Sequence, residues 1–177
     1  MCSEKRIWNI RKTYFAVWEG YSRRERYAVR NMEELVSGLT EHDDKQAYRN
    51  LQALVNESNC GPDVYVYFHQ FVQMMSNPKS YIRTRGITLI AANVKWDEDN
   101  RFDEIVAEYL RHVEDDKPIT ARQCIQTLPT LIRYKPYLKP EVEHALRGIS
   151  YGKYKESMQS LIQSDVQKVL EKIKSPA

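Results

Sequence analysis

The sequence predicts an all-α chain: about four helical hairpins stacked as an α–α superhelix over residues 24–177, behind a basic, aromatic capping segment at residues 1–23. Three observations predict it. Leu51, Leu89, Leu128 and Leu161 recur at spacings of 38, 39 and 33 residues. Each has a Lys or Arg six residues before it (Lys45, Arg83, Arg122, Lys155) and a packing residue three before it (Tyr48, Gly86, Ile125, Met158). Between them the apolar residues follow a helical period, and a period of about 37 residues with helices inside it marks a stack of helix hairpins.

The elements follow in order. Helix one places Ala28, Met32, Leu35, Val36 and Leu39 on one stripe, and helix two, from about Asp43, uses Ala47, Leu51, Leu54 and Val55. Helix three opens at Gly61-Pro62-Asp63 and buries Val64, Phe68, Phe71, Val72 and Met75; its strand-like start, Val64 to Phe68, continues at helical spacing. Helix four opens at Asn77-Pro78 and carries Ile82, Gly86, Leu89 and Ile90. Helix five has the cleanest stripe, Phe102, Ile105, Val106, Tyr109, Leu110 and Val113, whose steps fit a 3.6-residue period and not strand alternation. Helix six opens at Lys117-Pro118 with Ala121, Ile125, Leu128 and Ile132; helix seven at Lys139-Pro140-Glu141 with Val142, Leu146 and Ile149; helix eight from about Lys153 with Met158, Leu161, Ile162, Val166, Val169, Leu170 and Ile173.

Pro62, Pro78, Pro118 and Pro140 each fall at an expected first turn, where a missing N–H and a fixed φ cost nothing. Pro136 marks the turn between helices six and seven. Pro129 lies inside the stripe of helix six and is expected to bend or weaken it. Residues 1–23 fit either a capping helix or, over Lys12 to Trp18, a strand; a helix covering the first apolar face suits a stacked array better.

The bulk properties exclude several classes. With 42% apolar and 29% charged residues the chain is of ordinary globular composition. No apolar run approaches the roughly 18–20 residues of a membrane span, and no secretory leader follows Met1. Three cysteines without CxxC spacing (Cys2, Cys60, Cys124) read as reduced thiols of a cytoplasmic protein. Net charge is +3, but residues 1–30 hold eight Lys/Arg against three acids, so the body of the chain is slightly negative.

Stretches such as Tyr81-Ile82-Arg83-Thr84-Arg85-Gly86-Ile87-Thr88-Leu89 and Thr120-Ala121-Arg122-Gln123-Cys124-Ile125-Gln126-Thr127-Leu128, with a basic residue early in each second helix, resemble the HEAT/armadillo-like superfamily over roughly residues 24–174. The resemblance implies a superhelix in which such an Arg ties a second helix to its neighbours. It implies no single activity, since these arrays serve unrelated tasks. The last interval is short, and the Asp usual before the second helix is missing in places.

Candidate sites follow, each beside its structural reading. The ladder Lys45, Arg83, Arg122 and Lys155, with Arg85 and Arg49 nearby, would form a positive strip tracking an acidic peptide or phosphates; the structural alternative is that each cation serves a neighbouring turn or carboxylate. The basic-aromatic N-terminus (Trp8, Tyr14, Phe15, Trp18, Tyr21) suits stacking on nucleic acid or a partner, or else capping. The acidic run Asp97-Glu98-Asp99 with Asp103 and Glu104 is expected to cap helix five. Within the HEAT-like superfamily, glycosylases for alkylated DNA bases use Trp and Asp on a concave face; only Trp96-Asp97 resembles that pair. His42, His69, His112 and His144 lack metal-ligand spacing, and Cys124 lacks a partner base.

The expected function is therefore a non-enzymatic scaffold without cofactor or metal. It binds a protein or peptide on its concave face through Lys45, Arg83, Arg85, Arg122 and Lys155. DNA or RNA binding is the alternative, and a purely structural subunit associating through the aromatic N-terminus is a third.

Overall fold

The computed structural model describes residues 31–41 and 43–174. The expected capping segment 1–23, Ala28 and His42 lie outside the described residues. Among those described there are eight α-helices and no strand. They are α1 (helical over 31–37), α2 (Asp44–Cys60), α3 (Phe68–Met75), α4 (Ser80–Asn93), α5 (Arg101–Arg111), α6 (Pro118–Tyr134), α7 (Lys139–Arg147) and α8 (Glu156–Lys174). Short 3-10 turns extend or introduce several of them. No described helix is long and apolar enough to cross a membrane.

The local chemistry of the helix starts is mixed. Asp43 caps α2 by accepting the N–H groups of Lys45 and Gln46 at 2.9 and 3.1 Å. Pro118 and Pro140 lie in the first turns of α6 and α7, as expected. Pro62 and Pro78 do not: they stand in the turns ahead of α3 and α4, where their carbonyls accept from Tyr65 N and Arg83 Nη1. Helix three accordingly starts later than expected, through a 3-10 turn at Tyr65–Tyr67. Pro129 does not end α6, which stays helical to Tyr134. Packing against α4 on one side and α8 on the other outweighs the local cost of about 3 kcal/mol.

The helices pack in two layers. The even-numbered helices lie side by side, α4 between α2 and α6, and α8 on the far side of α6. The others cover one side of this row: α3 on α4, the 3-10 extension of α5 (His112–Glu114) on α6, and α7 on α6 and α8. One continuous apolar cluster fills the space between the layers, from Val36 to Ile173. The tightest crossing is α3 on α4. A Cβ on Gly86 would lie 2.6 Å from the Phe71 carbonyl and 2.8 Å from Met75 N, so only glycine lets the two backbones meet.

The helix row also corrects the leucine frame. The row's helices start at residues 44, 80, 118 and 156, intervals of 36, 38 and 38. With starts aligned, the seventh residues (Asn50, Gly86, Cys124, Ile162) and the eleventh (Leu54, Ile90, Leu128, Val166) are buried in all four. Leu51, Leu89 and Leu128 are buried, but Leu161 is 41% exposed while its neighbour Ile162 is fully buried. The short last interval is thus a property of the leucines and not of the helices: in α8 the inward stripe is carried by Ile162, Val166, Val169 and Ile173.

Candidate functional site

The expected basic strip divides into two kinds of residue. Arg83 is tied down between α4 and the turn that follows the α5 extension. Its Nε and Nη2 donate to the two Asp115 oxygens at 2.7 Å each, and Nη1 donates to the carbonyls of Asn77 and Pro78 at 2.9 Å. Arg85 is buried; Nη1 donates to Leu39 O at 2.7 Å and Nη2 to Asp44 at 2.8 Å. Arg122 donates to the buried Asp165 at 2.6 Å, where Gln126 also donates at 3.1 Å. Lys45 and Lys155 are exposed, with no ion pair to any described residue. Three of the five strip residues are therefore clamps between helices, the use that an arginine's rigid five-donor fork serves best.

Asp115 is a hub. Burial pushes its carboxyl up, but hydrogen bonds from His112, Arg83 and the Lys117 N–H outweigh this and hold it well below the usual carboxylate range. Its carbonyl also accepts the Tyr154 hydroxyl at 2.7 Å. One residue of each of α4 and the α5 extension, and the turn before α8, thus meet at a single acid.

A second hub forms at Asp97, in the acidic run expected to cap helix five. Asp97 caps α5, accepting from Arg101 N at 2.8 Å and Phe102 N at 3.0 Å. It also accepts the Tyr65 hydroxyl at 2.5 Å and pairs with Lys135 Nζ at 2.9 Å. Burial raises the Asp97 carboxyl, yet the hydrogen bonds from Tyr65 and Lys135 bring it below its ordinary value. Lys135 is 4% exposed and further held by Asn100, Asp103 and Tyr137. Burial lowers its ammonium, and the bonds to Asp97, Tyr137 and Asp103 raise it more. All four acceptor positions of Asp97 are occupied, so it has none left for a substrate proton. Trp96 is turned the other way, donating to Ser58 O at 2.8 Å. Cys124 is fully buried, and burial pushes its thiol well up, opposite to what a nucleophile needs.

The free side of the helix row has a distinct composition. It is formed by the second, fifth, sixth, ninth and thirteenth residues of each helix. On α2 these are Lys45, Tyr48, Arg49, Gln52 and Asn56; on α4, Tyr81, Thr84, Arg85, Thr88 and Ala92. On α6 they are Ile119, Arg122, Gln123, Gln126 and Thr130; on α8, Ser157, Ser160, Leu161, Ser164 and Lys168. None of these is a carboxylate, although Arg85 is buried and Asp44 and Asp165 of the same helices meet Arg85 and Arg122. Of the seven exposed large hydrophobics among the described residues, five belong to these helices: Tyr48, Tyr81, Ile119, Leu161 and, in the last turn of α6, Tyr134. The opposite layer differs: α5 and α7 expose Asp103, Glu104 and Glu141, and between them lies a cleft of about 670 Å³ floored by Val106, Leu110 and Ala145.

The row also exposes residues that the leucine frame hid. The residue just before each of the last three row helices is a lysine: Lys79, Lys117 and Lys155, each exposed and 38 residues apart. The signal was present in Asn77-Pro78-Lys79-Ser80 and Asp116-Lys117-Pro118, but the leucines aligned Lys155 with Arg83 and Arg122 instead. Comparison with family profiles, with curated proteins and with solved structures gives no match for this chain.

Proposed function

We propose that the chain is a non-enzymatic, HEAT-like helical-repeat scaffold of the cytoplasm that binds a protein or peptide on the free side of its even-numbered helices. The observation that carries this reading is that five of the seven exposed large hydrophobics among the described residues, Tyr48, Tyr81, Ile119, Tyr134 and Leu161, belong to these helices, while the carboxylates of Asp44 and Asp165 are taken up by Arg85 and Arg122. Exposed apolar groups on neighbouring helices suit an interaction surface, and interface cores are rich in aromatics. The intervening Thr, Gln, Asn and Ser side chains supply neutral donors and acceptors. Nucleic acid needs a track of free cations; with Arg83, Arg85 and Arg122 engaged by Asp115, Asp44 and Asp165, fewer are available for phosphates.

The test is a crosslinking capture of partners with matched surface variants. Ile119→Asp and Tyr81→Asp place a charge on the proposed side; Val66→Asp places one on an exposed apolar residue away from it. Partners retained by wild type and Val66→Asp but lost with the other two are expected. Retention by all three variants alike would remove this side as the binding surface.

A further inference from the structure

The N-terminal edge of the helix row combines charge and apolar exposure in register. Lys79 and Lys117 each stand immediately before a helix, and two residues later come Tyr81 and Ile119, the latter 72% exposed. The two pairs flank one seam: Thr120 Oγ1 lies 2.9 Å from Thr84 Oγ1 and donates to Ser80 O at 3.3 Å. Neither lysine has a carboxylate partner among the described residues. Asp116, next to Lys117, pairs instead with Lys153 at 3.6 Å. Lys155 continues the edge more weakly, because Glu156 follows it and Ser157 takes the apolar position.

Folding does not account for these lysines. Lys79 and Lys117 occupy cap positions with extended backbone and make no side-chain cap bond. A residue at this position is normally Ser, Thr, Asp or Asn, and a cation at a helix N-terminus opposes the helix dipole. Lys79 lies over the Tyr81 ring, 5.9 Å from its centroid, but neither lysine meets a carboxylate among the described residues; a locally unfavourable choice repeated at two aligned positions fits a surface kept for an external anion.

We infer that this edge docks an acidic polypeptide segment that also carries apolar side chains, the carboxylates meeting Lys79 and Lys117 and the apolar groups covering Tyr81 and Ile119. This rests on the docking reading above and specifies its partner. Neighbouring packed helices lie roughly 10 Å apart, and a polyproline-II segment rises about 3.1 Å per residue with three residues per turn, so every third residue of such a segment faces the next lysine. Ile119 decides between polyanions: an aliphatic side chain has no stacking surface for a base, whereas it contributes directly to a protein contact.

The probes are the random copolymer poly(Glu,Tyr), polyglutamate and oligothymidylate, titrated against the full chain by fluorescence anisotropy. Poly(Glu,Tyr) is expected to bind best and to weaken as salt is raised. Lys79→Ser/Lys117→Ser is expected to weaken it about fivefold, the size of two exposed charge pairs, with a melting temperature no lower than wild type. The salt titration on the unaltered chain keeps the inference testable whatever the variant does. Absence of poly(Glu,Tyr) binding, salt-independent binding, or tighter binding of oligothymidylate would each overturn it. If the double variant binds as wild type while Ile119→Asp does not, the docking surface stands and its acidic partner falls.

Discussion

Two sets of cations sit within one helix turn of each other along the row, and the chain uses them in opposite ways. At the seams, Arg83, Arg85 and Arg122 are drawn inward and spend their donors on Asp115, Leu39 O, Asp44 and Asp165. At the edge, Lys79, Lys117 and Lys155 remain exposed, without a carboxylate partner among the described residues. An arginine loses little by burial because its fork matches a carboxylate and keeps its charge, while an ammonium is strongly hydrated and costly to desolvate. The same charge thus serves cohesion at one position and accessibility at the next. Basic residues counted from sequence are no measure of a binding surface until their partners are known.

The contrast can be broken most severely at its buried side. Asp115→Ala leaves Arg83 without its carboxylate in a seam where the pair is 14% and 4% exposed; a loss of about 3–5 kcal/mol is expected in urea unfolding. A loss below about 1 kcal/mol would mean that the seam is wet and the distinction from the edge unreal. Gly86→Ala comes next. Helix propensity alone would favour it by about 1 kcal/mol, but the new Cβ meets backbone of α3, so a net loss of about 1–3 kcal/mol is expected. Gly152, whose Cβ would meet nothing within 4 Å, is the control.

Acid sharpens the comparison. Asp115 and Asp97 both titrate below their ordinary values when folded. Their contribution is therefore fully present above the unfolded carboxylate pKa of about 4 and is lost as pH falls from there through the folded values. The urea midpoint should change little between pH 7 and pH 5 on their account and fall below about pH 4; Asp115→Asn should flatten that fall. The smallest effect belongs to the edge: Lys79→Ser should raise stability by roughly 0.5 kcal/mol by supplying a cap. A clear loss would show that Lys79 has a folding role after all.

Much of the helix pattern was legible because burial follows a 3.6-residue period. Phe102, Tyr109, Leu110 and Val113 are buried as their spacing predicts, and so are Ala121, Ile125 and Leu128. The alignment of the helix row was legible only in part. Leucine and isoleucine are equally apolar, so choosing Leu161 over Ile162 shifted the last helix and concealed the aligned lysines. The clamps were half legible. The resemblance assigned an inter-helix role to an early Arg, but Asp115 and Asp165 lie 32 and 43 residues beyond their partners, with no pattern to single them out. Lys135 gave no signal: a lysine before a proline reads as a solvated turn, and only the approach of Asp97 and Asp103 makes it a buried hub.

What the sequence determined by itself is local: where the chain is helical, where Pro118, Pro140 and Asp43 open helices, most of the stripe each helix buries, and that no described helix is long and apolar enough to cross a membrane. These depend on neighbours within a turn or two, where spacing and residue type are enough. The tertiary structure decided the fate of each polar residue. Whether a cation is a clamp or a free contact, and whether Pro129 breaks its helix, depends on which groups some 30 to 45 residues away arrive within 3 Å. Hydrogen bonding and desolvation act over that short range, so they are settled only when the helices pack.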